Sequence, residues 1–150
     1  MIPSARRCQR AGLRNALFVC ASAEDPPDEL LGVADEIFVQ LPWGNLLSAI
    51  VYGKSYMISA IRRLARIGAD LVVVIGADIW RPPVPKAIAG LPELTADYVD
   101  ATLAGRFADA GWKITSFGPV EAAEVSSTWA RRLSANRTAP TFVILRAVAV

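Results

Sequence analysis

Residues 70–76 read DLVVVIG, and Val72, Val73, Val74 and Ile75 at their centre form an unbroken apolar run. A run this short and this rich in β-branched residues suits a strand covered on both faces, which asks for helices on either side of a sheet. The rest of the chain alternates in kind. Residues 17–21 (LFVCA), 36–41 (EIFVQL), 112–117 and 141–150 (TFVILRAVAV) also read as strands. Helical patterns lie between them at 26–33, 45–51, 56–67 and 95–110. The first opens on prolines and acids, and the last has Thr95 as its cap and Gly111 as its stop. Buried strands separated by helices predict an α/β fold with a mostly parallel sheet and right-handed crossovers. A length of 150 residues makes one domain rather than two. Residues 81–92 (RPPVPKAIAGLP) hold four prolines and read as an ordered excursion from a strand to the next helix.

The residue inventory removes several chemistries. The chain has no histidine, so no imidazole base, Ser-His-Asp triad or His-ligated metal is available. Its two cysteines, Cys8 and Cys20, lack the spacing of a zinc site or a redox pair. No metal is expected, and Cys20 is expected to pack as a small hydrophobe. The longest apolar runs are strand-length, so no segment is expected to span a membrane. The Arg-rich start does not read as a secretory signal, and the expected location is the cytoplasm. A net charge of +2 conceals an uneven distribution. Arg6, Arg7, Arg10 and Arg14 crowd one end, Arg131, Arg132, Arg137 and Arg146 occupy the other, and no acid follows Glu124. If the two ends meet they make a positive field suited to phosphates; otherwise they are two solvated basic termini.

In parallel α/β sheets, ligands bind beyond the carboxyl ends of the strands, so the residues just after each strand carry the functional reading. After 17–21 comes Ser22-Ala23-Glu24-Asp25-Pro26-Pro27, where small residues and an acid would let a flat ring lie against the backbone. A plain helix start reads the same way. After 36–41 comes Leu41-Pro42-Trp43-Gly44-Asn45. Proline removes a donor and biases Leu41 toward an extended backbone, and Trp43 offers a face on which a base could stack. The same tryptophan could instead plug the bottom of a helix. The third group, Ser126-Ser127-Thr128-Trp129-Ala130-Arg131-Arg132-Leu133 with Asn136-Arg137, sets an aromatic face beside paired cations, as nucleic acid requires. An amphipathic helix with Trp129 and Leu133 inward is the alternative. Trp80, expected to continue a strand edge, and Trp112 read as core or rim.

Taken together, ASAEDPP, LPWGNLL and STWARRL resemble the aminoglycoside-resistance family that methylates N1 of an adenine in small-subunit ribosomal RNA. The resemblance implies a Rossmann-like class I methyltransferase fold, one partial domain over residues 1–150, and S-adenosylmethionine as cofactor. It implies that Ser22, Ala23 and Glu24 lie beside the cofactor's adenine, that Leu41 packs on that ring, and that Asn45 and Ser127 lie near the cofactor. It further implies that Trp43 and Trp129 are two walls around a flipped target adenine, with Arg6, Arg7, Arg10, Arg14, Arg132 and Arg137 gripping the RNA backbone. Adenine N1 carries an in-plane lone pair, so its methylation needs positioning and electrostatics rather than a histidine base.

The chain departs from the family at Asn45, where serine or threonine is usual, and at Ala139, where some members carry a basic residue. Members also begin with a strand, a Gly-rich turn, a helix and a second strand, whereas here Gly12, Gly32 and Gly44 are isolated. The expectation is therefore an N-terminally truncated sheet whose exposed edge invites self-association. Two other functions fit the same residues: a non-catalytic RNA-binding remnant of such an enzyme, and a small-molecule methyltransferase on the same fold.

Overall fold

The buried run Val72–Val73–Val74–Ile75 lies within β2 (Ala65–Gly76), the longest strand of a four-stranded sheet in this computed structural model. The structure describes Gly12, residues 15–121 and residues 141–150. Strand β1 (Ala34–Gln40) leads into helices α1 (Gly44–Val51) and α2 (Ser55–Leu64), which return the chain to β2. Short 3-10 turns at Ala77–Trp80 and Lys86–Ile88 follow. Helix α3 then begins as Ala96–Tyr98, widens to a π segment at Val99–Leu103 and finishes as Ala104–Asp109. Strands β3 (Trp112–Val120) and β4 (Phe142–Ala149) complete the sheet.

The strand order is β1-β2-β4-β3. Only β1 and β2 form a parallel pair; β4 lies antiparallel to both of its neighbours, β2 and β3, which share the direction of β1. The sheet is mixed, and the expectation of a mostly parallel sheet is corrected. Continuous apolar patterning reports that both faces of a strand are covered and says nothing of its direction, so residues 141–150 read as a strand without showing that β4 runs against its neighbours. The α1–α2 pair supplies the crossover that a parallel pair needs, and β3 and β4 need none because they are antiparallel.

Alternate residues of β2 serve different clusters. Leu71, Val73 and Ile75 pack with Leu47, Ile50, Ile58, Leu103, Phe107 and Trp112 in the main core. Val72 and Val74 face the other way, toward Phe142, with Leu41, Val120 and Ile144 against them, and no helix contributes to this second cluster among the described residues. Each fully buried aliphatic or aromatic side chain contributes roughly 1.5–3 kcal/mol. Trp112 is wholly buried, with its indole N–H donating to Ile58 O at 3.3 Å.

Several boundaries match the patterning. The Thr95 hydroxyl accepts from Tyr98 N at 3.2 Å, and α3 stops at Gly111 with φ of 83°. Other expectations fail for identifiable reasons. Residues 17–21 form no strand, and Leu17 is 80% exposed. A strand is a relation between two segments, and β1 is hydrogen-bonded only to β2 among the described residues. Cys20, in that run, is therefore exposed rather than packed. The pattern at 26–33 yields one 3-10 turn, Asp28–Leu30, because Leu31 is already extended, and Gly32 follows it at φ of 65°. The helix expected over 56–67 ends at Leu64, since Ala65 is extended and opens β2. Trp80 belongs to a 3-10 turn past the end of β2, not to a strand edge.

Candidate RNA and cofactor site at the sheet's carboxyl rim

The chain leaves β1 through a strained turn. Leu41, expected to be extended ahead of proline, is instead the one non-glycine with positive φ among the described residues, at 51°. That conformation costs an L residue about 1–2 kcal/mol. It is held because Leu41 N–H donates to Val74 O at 2.8 Å, which extends the β1–β2 ladder one residue past the strand. Pro42 is buried, anchoring the turn from below. Trp43 then adopts an extended backbone (φ −138°, ψ 163°) at the N-cap of α1 and remains 53% exposed. Gly44, with φ of 58°, lets the helix start immediately, and Asn45 is exposed in its first turn. The indole is thus presented to solvent directly after a parallel strand and does not plug the helix from below.

Leu41, Trp43 and Asn45 thus share one turn. The side chain of Leu41 is only half-buried against Val72, Val74 and Phe142, which leaves part of its apolar surface free. Ser22, Ala23 and Glu24 are exposed, and their hydrogen bond is local, from Glu24 N–H to Ser22 Oγ at 3.2 Å. No ladder ties residues 16–21 to the sheet, so these three are not brought to the Trp43 turn by strand pairing. Ser127, Trp129, Arg132 and Arg137 lie outside the described residues, as do Arg6, Arg7, Arg10 and Arg14.

The flanks of 122–140 are informative nonetheless. Val120 of β3 pairs with Phe142 of β4, and Phe142 pairs with Gly76 at the end of β2. Glu121 and Thr141 therefore stand at the same rim as the Trp43 turn. Sequence reading passed over one group there. Arg81, the first residue of what was read as a connector, joins Asp78 and Thr141 in a side-chain cluster just past β2. The rule that singled out the residues after β1 applied equally to those after β2 and could have found it. Among the described residues there is no group of three or more potential metal ligands, and no helix long and apolar enough to cross a membrane.

This mixed α/β sheet superposes on those of solved ribosomal RNA methyltransferases. The 16S rRNA (adenine(1408)-N(1))-methyltransferase from Catenulisporales acidiphilia superposes with a TM-score of 0.78 at 38% identity, covering 99% of this chain and 74% of that one. A mutant of the same enzyme, crystallised with cosubstrate SAM, gives 0.79 at 37% identity, over 99% and 72%. The NpmA family model, described as 16S rRNA (adenine(1408)-N(1))-methyltransferase, matches residues 2–148, and the chain belongs to that family. The protein of that description from Streptoalloteichus hindustanus is 37% identical over 137 residues, covering 89% of this chain and 62% of the relative. An rRNA methyltransferase from Saccharopolyspora hirsuta is 35% identical over 132 residues, covering 86% and 83%. The chain thus spans about three fifths of the length of the first curated relatives it matches.

Proposed function

We propose that this chain is the base-recognition part of an S-adenosylmethionine-dependent methyltransferase acting on N1 of an adenine in small-subunit ribosomal RNA. The observation that carries the reading is Trp43, more than half exposed on a turn strained at Leu41 and anchored by buried Pro42. Stacking of an extruded base on an indole is worth roughly 1–3 kcal/mol, comparable with the cost of flipping it. Trp129 is the proposed second wall. Arg6, Arg7, Arg10, Arg14, Arg132 and Arg137 are the proposed phosphate contacts, and the cytoplasm, where ribosomes work, is the proposed location.

When bound, S-adenosylmethionine supplies an electrophilic sulfonium methyl group. The free part of the Leu41 side chain suits the flat adenine of that cofactor, with Asn45, Ser127 and the backbone of Ser22, Ala23 and Glu24 as polar partners. What the chain must do is hold the target ring with its N1 lone pair in line and keep water out; no proton has to be removed first. Such a site makes do with aromatic walls and oriented amides, which accords with the lack of histidine. β1 has no neighbour on its outer side among the described residues, and self-association along that edge is part of the proposal.

One experiment tests the reading directly. Purified chain is incubated with methyl-labelled S-adenosylmethionine and small ribosomal subunits, and the RNA is digested and separated by mass. Label at N1 of a single adenine, lost in Trp43→Ala, is the expected result; label elsewhere, or on a small molecule alone, overturns it. The absence of any G-x-G run favours a second reading, RNA binding without catalysis. Calorimetric titration with S-adenosylmethionine separates the two: heat of binding supports the enzyme, and subunit binding with no such heat supports the non-catalytic binder.

A further inference from the structure

Beyond β2 the chain makes the Ala77–Trp80 turn and emerges as six consecutive exposed residues, 81–86. Arg81 stands first among them and is held from two sides. Its Nη1 lies 3.1 Å from Asp78 Oδ1, and its Nη2 donates to Thr141 Oγ1 at 3.1 Å. The backbone makes parallel ties: Arg81 N–H donates to Asp78 O at 3.1 Å, and Ala77 N–H donates to Thr141 O at 2.8 Å. The guanidinium is thereby fixed to the ends of two neighbouring strands, β2 and β4.

Fixing a long cationic side chain normally serves to bury it, yet this one stays open. The Arg81 side chain is 66% exposed, against 30% for Asp78. The carboxylate is the inner group and the guanidinium the outer one. Among the described residues two of the five N–H donors of this arginine side chain are engaged, against three that are not. Other arginines are differently employed. Arg62 is folded onto backbone carbonyls, and Arg63 and Arg66 pair with Asp28 and Asp35 near the opposite, amino ends of β1 and β2. Arg81 shares its rim with Trp43, because Leu41 N–H is bonded to Val74 O two residues before β2 ends.

We propose that Arg81 binds a backbone phosphate of the RNA beside the base held at Trp43, as a preorganised anchor that sets the register of the strand. The role rests on the RNA reading above. A planar fork fixed in advance suits the two non-bridging oxygens of a phosphodiester, and little rotamer freedom remains to be lost on binding. Asp78 orients the fork at some cost in repulsion toward the phosphate. Thr141 orients it without charge.

The test is the salt dependence of binding between the purified chain and small ribosomal subunits. Each phosphate neutralised contributes about 0.7–0.9 to the slope of log affinity against log salt. Arg81→Ala is expected to bind about tenfold more weakly near 0.1 M salt, with a slope shallower by about one phosphate's share. Arg81→Lys should keep the slope while losing affinity. Thr141→Val, which frees the fork but keeps its charge, should weaken binding and leave the slope unchanged. Asp78→Asn should tighten binding, and it remains informative if Arg81→Ala fails to fold. A merely structural arginine would lower the melting temperature of Arg81→Ala with no change in slope, and that result, or weaker binding by Asp78→Asn, overturns the proposal. If the wild-type chain does not bind the subunit, the RNA reading falls and takes Arg81 with it; wild-type binding with an unaltered Arg81→Ala slope removes the Arg81 role alone.

Discussion

The guanidinium carbon of Arg62 lies 5.8 Å from the centroid of the Trp112 ring, and the same side chain donates to Gly111 O, Ala65 O and Val150 O at 3.0, 2.9 and 3.0 Å. One residue of α2 therefore joins the start of β2, the turn before β3 and the end of β4. Arg62→Ala is expected to cost about 2–4 kcal/mol in urea unfolding, through the lost stacking and the carbonyls left to re-solvate. Arg62→Lys should recover less than half, because an ammonium cannot span the three carbonyls in one plane. Full recovery by lysine would show that charge alone matters there.

Gly53 and Gly44 share a φ of 58° but not a neighbourhood. A Cβ at Gly53 would stand 2.9 Å from Arg106 Cβ and 3.1 Å from Leu103 Cδ2, whereas one at Gly44 would meet open space. Gly44→Ala is expected to cost about 1–2 kcal/mol, from the left-handed backbone alone. Gly53→Ala should cost a further 1–3 kcal/mol as α3 is pushed outward. Urea midpoints of the two variants check the difference; equal costs would mean that the Arg106 side of the helix yields freely.

Trp80 and Trp112 make another pair. Trp80 Nε1 is buried with no hydrogen-bond partner among the described residues, while Trp112 Nε1 donates to Ile58 O. Trp80→Phe removes an unsatisfied donor and is expected to leave stability unchanged or raise it by about 1 kcal/mol. Trp112→Phe breaks a buried bond and opens space in the core, and should cost about 2–3 kcal/mol. Thermal melts decide the matter, and a marked loss in Trp80→Phe would reveal a partner for its N–H.

Much of this architecture could be read from the residues. The run at Val72–Ile75, the cap at Thr95 and the stop at Gly111 each depend on neighbours in the chain, and each appears where expected. The turn around Trp43 was likewise legible, because proline and glycine flank it, but its exposure was not, since a plug beneath the helix reads the same way. What failed depends on distant partners. Whether residues 17–21 pair, and which way β4 runs, are decided by segments far away in sequence. The Arg81–Thr141 contact joins residues 60 apart and leaves no local signature.

Trp43→Ala separates folding from recognition. The residue is half in solvent, so its removal is expected to shift unfolding free energy by no more than about 1 kcal/mol. Subunit affinity should fall by a factor of roughly 5–150, the equivalent of one lost base stack. A chain that unfolds on this substitution would mean that Trp43 supports the β1–α1 turn instead.

Because Val120 and Phe142 face each other across adjacent antiparallel strands, the chain leaves the sheet and rejoins it at a single doorway. The two strands hold that doorway by their own register, Val120 opposite Phe142 and Pro119 opposite Val143, whatever lies between them in the chain. The turn at Leu41 is held by more than pairing: its backbone, its proline and its bond to Val74 constrain one another, so a change at any of the three is felt at Trp43.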